Sequence, residues 1–248
     1  MQPVKPTPAL ARRAAEILRR LRKAYPDAGC ELDFSNPLQL AVAAILSAQC
    51  TDRRVNLVTP ALFRKYRAAR DWAAASQETL ESEIRSTGFF RNKARNIRAL
   101  CAQLAQHHGG RVPDDLDTLV HLPGIGRKTA NLLIATAYGK PGIIVDTHFR
   151  RLSQRLGFTA SSDPDRIELE LKAIVPVSDW TDWSHGMVFH GRRCCFARNP
   201  SCGACPIRDL CPLYARLARA EPESAPGGKS RATRTATSRA GRRPGGRA

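Results

Sequence analysis

At 248 residues, 42% hydrophobic and 25% charged, the chain has ordinary globular composition and enough length to bury one large core or two smaller ones. No apolar run approaches the roughly 18 residues of a membrane-spanning helix, and the first residues lack the apolar stretch of an export signal, so membrane and secretory classes drop out as expectations. Forty Lys and Arg against 22 Asp and Glu leave a net charge of +18, which points to a polyanionic partner, nucleic acid first.

Residues 221–248 carry a net +5 and the first 220 residues +13, so the basic excess belongs to the globular part as well. Pro3, Pro6 and Pro8 give residues 1–9 the character of an irregular arm, after which Leu10, Ala14, Ile17, Leu18 and Leu21 recur at helical spacing. A transit peptide also starts Arg-rich, but here no Ser precedes Ser35 and Glu16 interrupts the bases, which favours a surface helix. Ser35-Asn36-Pro37 supplies a cap and a first-turn proline for an apolar helix ending near Ser47. Residues 91–107 are periodic and end at Gly109-Gly110, and Asp114 or Asp115 can cap a short helix stopping before Pro123. Residues 126–138 read as a further helix closed by Gly139, followed by 147–156 and 164–174. No alternating strand pattern with hairpin turns occurs, so the predicted fold class is all-α, about ten helices joined by short loops. The last 28 residues have no large apolar side chain to bury and read as a flexible basic tail.

Five of the eight cysteines fall between Cys194 and Cys211. Such clustering, without an export signal, reads as metal ligation in a reducing compartment, the cytosol or nucleoid. Cys195, Cys202, Cys205 and Cys211 stand in C-x6-C-x2-C-x5-C spacing, interleaved with Arg198, Asn199, Pro200 and Gly203, which is loop chemistry. Four soft thiolates suit zinc or an iron–sulfur cluster, and spacing alone does not choose between them. Cys194 is left over as a bystander, with the exchange of Cys194 for Cys195 kept open.

Leu122-Pro123-Gly124-Ile125-Gly126-Arg127-Lys128-Thr129-Ala130 joins two predicted helices. Gly124 and Gly126 let backbone approach a ligand, and the open N–H groups of the following helix suit a phosphate, so the turn reads as a DNA backbone clamp; a plain connector is the commoner meaning of such a pattern. Lys128 falls in the first turn of the second helix. The positive end of a helix dipole is a poor seat for an ammonium ion and a good one for an amine that must lose its proton before attacking carbon. Asp146, in Val145-Asp146-Thr147-His148, has the ordinary reading of a helix N-cap, and capping does not exclude chemistry.

These three motifs, in this order and at these distances, resemble the endonuclease III family of helix-hairpin-helix DNA glycosylases over about residues 10–213. The resemblance implies a two-lobed fold: a six-helix barrel over 30–140 with the helix-hairpin-helix at 115–138, and a cluster lobe built from 10–29 plus 141–213, flanked by the 1–9 arm and a basic tail at 214–248. It implies Lys128 and Asp146 as catalytic residues and a [4Fe–4S] cluster on Cys195, Cys202, Cys205 and Cys211. Lysine at the hairpin position also separates this branch from the similar adenine-mismatch glycosylases. The implied activity is base excision repair: removal of damaged, oxidised pyrimidines from duplex DNA, then strand cleavage at the abasic site, by a monomer in a bacterial, nucleoid-associated cytoplasm.

A stacked base is out of reach of an active site, so the nucleotide must be extruded and the gap filled. Gln49 matches the position from which the family inserts a glutamine, and the loop Gly88-Phe89-Phe90-Arg91-Asn92-Lys93 matches its wedge, with Phe89 where the family has leucine; a buried loop anchor is the competing reading of Phe89. Arg192, Arg193 and Arg198, near the cysteines, and Arg127 are expected to meet phosphates together with the hairpin backbone. The competing functions are a non-catalytic iron–sulfur DNA-binding or redox-sensing protein and a monofunctional glycosylase.

Overall fold

The computed structural model describes residues 4–220. Among them run twelve α-helices and four short 3-10 turns, and no strand. In chain order the helices are α1 (Pro8–Ala24), α2 (Pro37–Leu46), α3 (Asp52–Lys65), α4 (Ala69–Ala74), α5 (Gln77–Ile84), α6 (Phe90–His107), α7 (Leu116–Leu119), α8 (Arg127–Ala137), α9 (Thr147–Arg155), α10 (Pro164–Lys172), α11 (Trp180–Arg193) and α12 (Pro212–Ala220). None is long and apolar enough to cross a membrane.

Two hydrophobic cores organise these helices. The first gathers Leu32, the buried face of α3 to α6, and Leu119, Leu122, Ile125, Leu133 and Ile134 around α2. Helix α2 buries every residue from Leu40 to Leu46, so it runs through this core rather than along its surface. Its alanines at 41, 43 and 44 let α6 and α8 approach closely. The second core joins Ala14, Ile17, Leu18 and Leu21 of α1 to Phe149, Leu152, Phe158, Ile167, Leu171, Trp183 and Met187. The chain therefore begins in the second core, builds the first and returns. Where α1 crosses α11, Gly186 permits the contact: a Cβ there would lie 3.3 Å from that of Leu21.

Three expectations need correction. Residues 1–9 are not all irregular, because Thr7 accepts a hydrogen bond from the Leu10 N–H at 3.1 Å and Pro8 opens α1 as its first-turn proline. Residues 214–220 are not tail: α12 starts at Pro212 and continues through Leu213, Tyr214 and Leu217 among Ala and Arg, all strong helix formers apart from Tyr. The count is twelve helices where about ten were expected: α12 is one addition, and α4, with six residues, is too short to show a period, whereas the short helix expected after Asp114 or Asp115 is present as α7. The basic tail expected from 221 onward and the first three residues of the arm lie outside the described residues.

Candidate active site and metal centre

The hairpin between α7 and α8 is shaped by its glycines. Asp115 caps α7 by accepting from the Thr118 N–H at 2.7 Å, and the chain turns through Leu122 to Ile125, whose N–H donates back to the Leu122 carbonyl at 3.1 Å. Gly124 has φ +76, and a Cβ there would lie 2.9 Å from Asn96 Cβ, so both conformation and space demand glycine. Gly126 caps α8 without a side chain, which leaves the first-turn N–H groups open to an anion.

Lys128 is the second residue of α8 and is exposed. It borders three adjoining clefts, two of which Asp146 also borders. One of these, about 570 Å³, has Ser47, Asp52, Leu132 and His185 in its wall. Asp146 is the N-cap of α9 and accepts from the Phe149 N–H at 2.7 Å, so the capping reading is correct. The cap bond holds the carboxylate at the cleft wall and engages one oxygen, Oδ1. Lys128 thus comes from a helix of the first core and Asp146 from the entry to the second.

Asp52, the first residue of α3, was not singled out by sequence reasoning. Burial pushes its carboxyl above the ordinary aspartate range; the charge of Lys128 opposes that rise and the charge of Asp146 reinforces it. Asp52 shares a cleft wall with Lys128 and Asp146, which puts it in the same site, and its sequence signal was its place three residues after Gln49 in Gln49-Cys50-Thr51-Asp52.

Gln49 and Phe89 are both exposed, and both are held in the left-handed region, at φ 52 and φ 47. For residues other than glycine this costs about 1–2 kcal/mol each. Phe89 is 61% exposed, which overturns the anchor reading; its neighbour Phe90 packs against the first core instead. A large exposed aromatic ring on a strained backbone has the form of a wedge.

Of the four arginines expected to meet phosphates, Arg127, Arg192 and Arg193 are engaged by carboxylates of the protein itself, and among the described residues Arg198 is not. Arg127 makes a forked pair with the buried Glu168 of α10, Nε to Oε2 at 2.8 Å and Nη2 to Oε1 at 3.1 Å. Asn131 and Lys172 complete that carboxylate at 3.0 and 2.6 Å. Arg192 pairs with Glu31 and, at 3.3 Å, with Asp52, while Arg193 pairs with Asp27 at 2.6 Å. Sequence gave the sign of these charges and not their partners. Among the described residues, Arg53, Arg91, Arg150 and Arg198 make no ion pair, and Arg150 borders a cleft with Lys128 and Asp146.

Cys195, Cys202, Cys205 and Cys211 are half-buried free thiols lining one pocket with Leu152 and Ile207. Four thiols converging on a partly apolar cavity suit an iron–sulfur cluster. Cationic groups adjoin them: Arg155 Nη1 donates to Cys195 Sγ at 3.2 Å. The buried Cys194 lies against Cys205 and His190, with ligand-type atoms within 4.8 Å of one another, and its thiol donates to the Ser201 carbonyl at 3.7 Å. His190 is fixed from its other side by the Tyr25 hydroxyl at 2.9 Å from Nδ1.

Comparison with known proteins agrees with this arrangement. Residues 42–177 match the family described as HhH-GPD superfamily base excision DNA repair protein, and residues 195–211 match the iron–sulfur binding domain of endonuclease III. The second match begins at Cys195 and leaves Cys194 outside. The endonuclease III of Synechocystis sp. is 51% identical over 201 residues, 81% of this chain and 92% of that protein. A non-covalent endonuclease III–DNA complex has a TM-score of 0.79 at 47% identity and covers 84% of this chain and 98% of its own. A trapped endonuclease III–DNA covalent intermediate, an estranged-adenine complex, has the same TM-score at 46% identity, covering 84% and 99%.

Proposed function

Because the chain belongs to the endonuclease III family of base excision DNA repair proteins, we propose that Lys128 is the amine that attacks the sugar of the damaged nucleotide and Asp146 the carboxylate that assists it. The protein is a bifunctional DNA glycosylase and abasic-site lyase that binds DNA and carries a [4Fe–4S] cluster. Its substrate is duplex DNA with an oxidised pyrimidine, it works as a monomer, and it works in the bacterial nucleoid.

The observation that carries this reading is the meeting of Lys128 and Asp146 from two different cores at the wall of one cleft. The Lys128 amine, deprotonated, bonds to C1′ as the bond from C1′ to the base breaks and the base leaves with the electron pair. Asp146 faces the positive charge that develops on the sugar. Opening of the sugar ring gives an iminium between Nζ and C1′, which acidifies the 2′ hydrogens. Loss of a 2′ proton expels the 3′ phosphate, nicking the strand, and water then releases the lysine. Gln49 and Phe89 hold the duplex open while the base is in the cleft. Gly124, the Gly126 turn and the first N–H groups of α8 grip the backbone. Cys195, Cys202, Cys205 and Cys211 would hold the cluster, which supplies a structural cross-link for a loop that carries the unpaired Arg198.

Single-turnover assays on duplexes that each carry one defined lesion test the substrate class. Oxidised pyrimidines should react fastest, and Lys128→Gln should release no base and cut no strand. Faster processing of an oxidised purine or an adenine mismatch would contradict it.

A further inference from the structure

The first core contains one buried cation with no carboxylate partner among the described residues. Lys93, in the first turn of α6, is 3% exposed. Its Nζ donates to the Leu46 carbonyl at 2.8 Å and to the Thr87 carbonyl at 2.7 Å. Leu46 is the last residue of α2, and Thr87 ends the 3-10 turn Arg85–Thr87. Both are carbonyls that a helix end leaves without an intrahelical donor, and both lie at the negative end of a helix dipole, which explains how an ammonium ion is accommodated there without an anion. Burial still presses it toward the neutral form, so it is retained at a cost.

What the two carbonyls share is their place in the chain. Leu46 lies three residues before Gln49, and Thr87 two residues before Phe89. Each of those two residues is exposed and left-handed, a backbone state that persists only where the surroundings over-determine it. We propose that Lys93 is a positioning residue for base extrusion: its ammonium group ties the roots of the Gln49 and Phe89 loops together, so that the two tips enter the duplex as one rigid tool. This inference rests on the reading that Gln49 and Phe89 enter DNA. It assigns Lys93 no contact with substrate.

The test compares a substrate that needs extrusion with one that does not. Lys93→Met keeps length and apolar bulk while removing the charge and all donors. On a duplex carrying a single thymine glycol, its single-turnover base release should fall at least about tenfold, the scale on which small misplacements of a working group are felt. On a single-stranded oligonucleotide with one abasic site, where no base pair has to be opened, borohydride trapping should stay within about twofold of the parent. Equal losses on both substrates, or no loss on either, would overturn the proposal. Gln49→Ala and Phe89→Ala separate it from its premise: if neither slows the duplex reaction, the premise fails; if both do and Lys93→Met does not, the role of Lys93 alone fails. Should Lys93→Met not fold, the double variant Gln49→Ala/Phe89→Ala still decides: two tips on one rigid tool lose less together than the product of their separate losses, and multiplying losses would refute the coupling.

Discussion

The core around α2 closes on apolar side chains from Leu32 to Ile134, whereas the core around Trp183 and Phe149 runs out into Cys195–Cys211, where only two 3-10 turns supply regular structure. The first can hold itself together by burial. The second needs a cross-link at its far end, and four thiols converge there to provide one. The site draws on both, with the amine and the strained tips from the first and the capping carboxylate from the second. Its geometry therefore depends on the seam, which two ion-pair groups span: Glu168 with Arg127 and Lys172, and Arg192 with Glu31 and Asp52.

The sharpest way to break this contrast is to remove a ligand from one side only. Cys205→Ser should abolish the visible iron–sulfur absorption and weaken duplex binding by about one to two orders of magnitude, with proteolysis beginning between 195 and 211 while fragments containing α2 to α8 persist. Uniform proteolysis of both cores would show that the first does not stand independently. Next in size is Asp146→Asn, in which the amide still caps α9 but carries no charge. Base release should fall by about 10- to 100-fold at nearly unchanged melting temperature, whereas Asp146→Ala should add a stability loss of about 1 kcal/mol.

The smallest effect concerns the seam. Burial pushes the Glu168 carboxyl upward, but hydrogen bonds from Arg127 and Lys172 outweigh burial and hold it below the usual glutamate range. A lowered folded value means that the contribution is complete above the unfolded value of about 4.3 and disappears as pH falls through the folded one. Glu168→Gln should then cost about 2–3 kcal/mol at neutral pH, discounted for the partial exposure of both cations, and the gap to the parent should narrow in urea titrations as pH falls below the ordinary glutamate range. A gap independent of pH would mean that the carboxylate charge does not hold the seam.

The sequence carried most of this because its strongest signals were local. The capping triplet before α2, the glycine hairpin and the C-x2-C pair each fix a few residues through chemistry that needs no distant partner. Lys128 was legible for the same reason, since its place in the first turn follows from Gly126 alone. Pairings were not legible. Arg127, Arg192 and Arg193 meet carboxylates 41, 161 and 166 residues away, and Asp52 meets Arg192 at a separation of 140, distances across which a single sequence carries no signal. The strain at Gln49 and Phe89 was hidden too, because neither is a residue type that announces a left-handed backbone. Helix α12 was missed because the tail boundary at 214 came from where the resemblance ends, and not from the residues themselves, where Tyr214 and Leu217 stand among helix-forming Ala and Arg.

The central claim is that one amine, carried by the first core, bonds to the damaged sugar. Borohydride reduction on an abasic duplex, followed by digestion and mass mapping of the adduct, tests it directly. The deoxyribose remnant should sit on Lys128 alone, and Lys128→Ala should give no adduct while keeping its cluster absorption and melting temperature. An adduct of equal yield on another lysine or on the N-terminal amine would contradict the assignment.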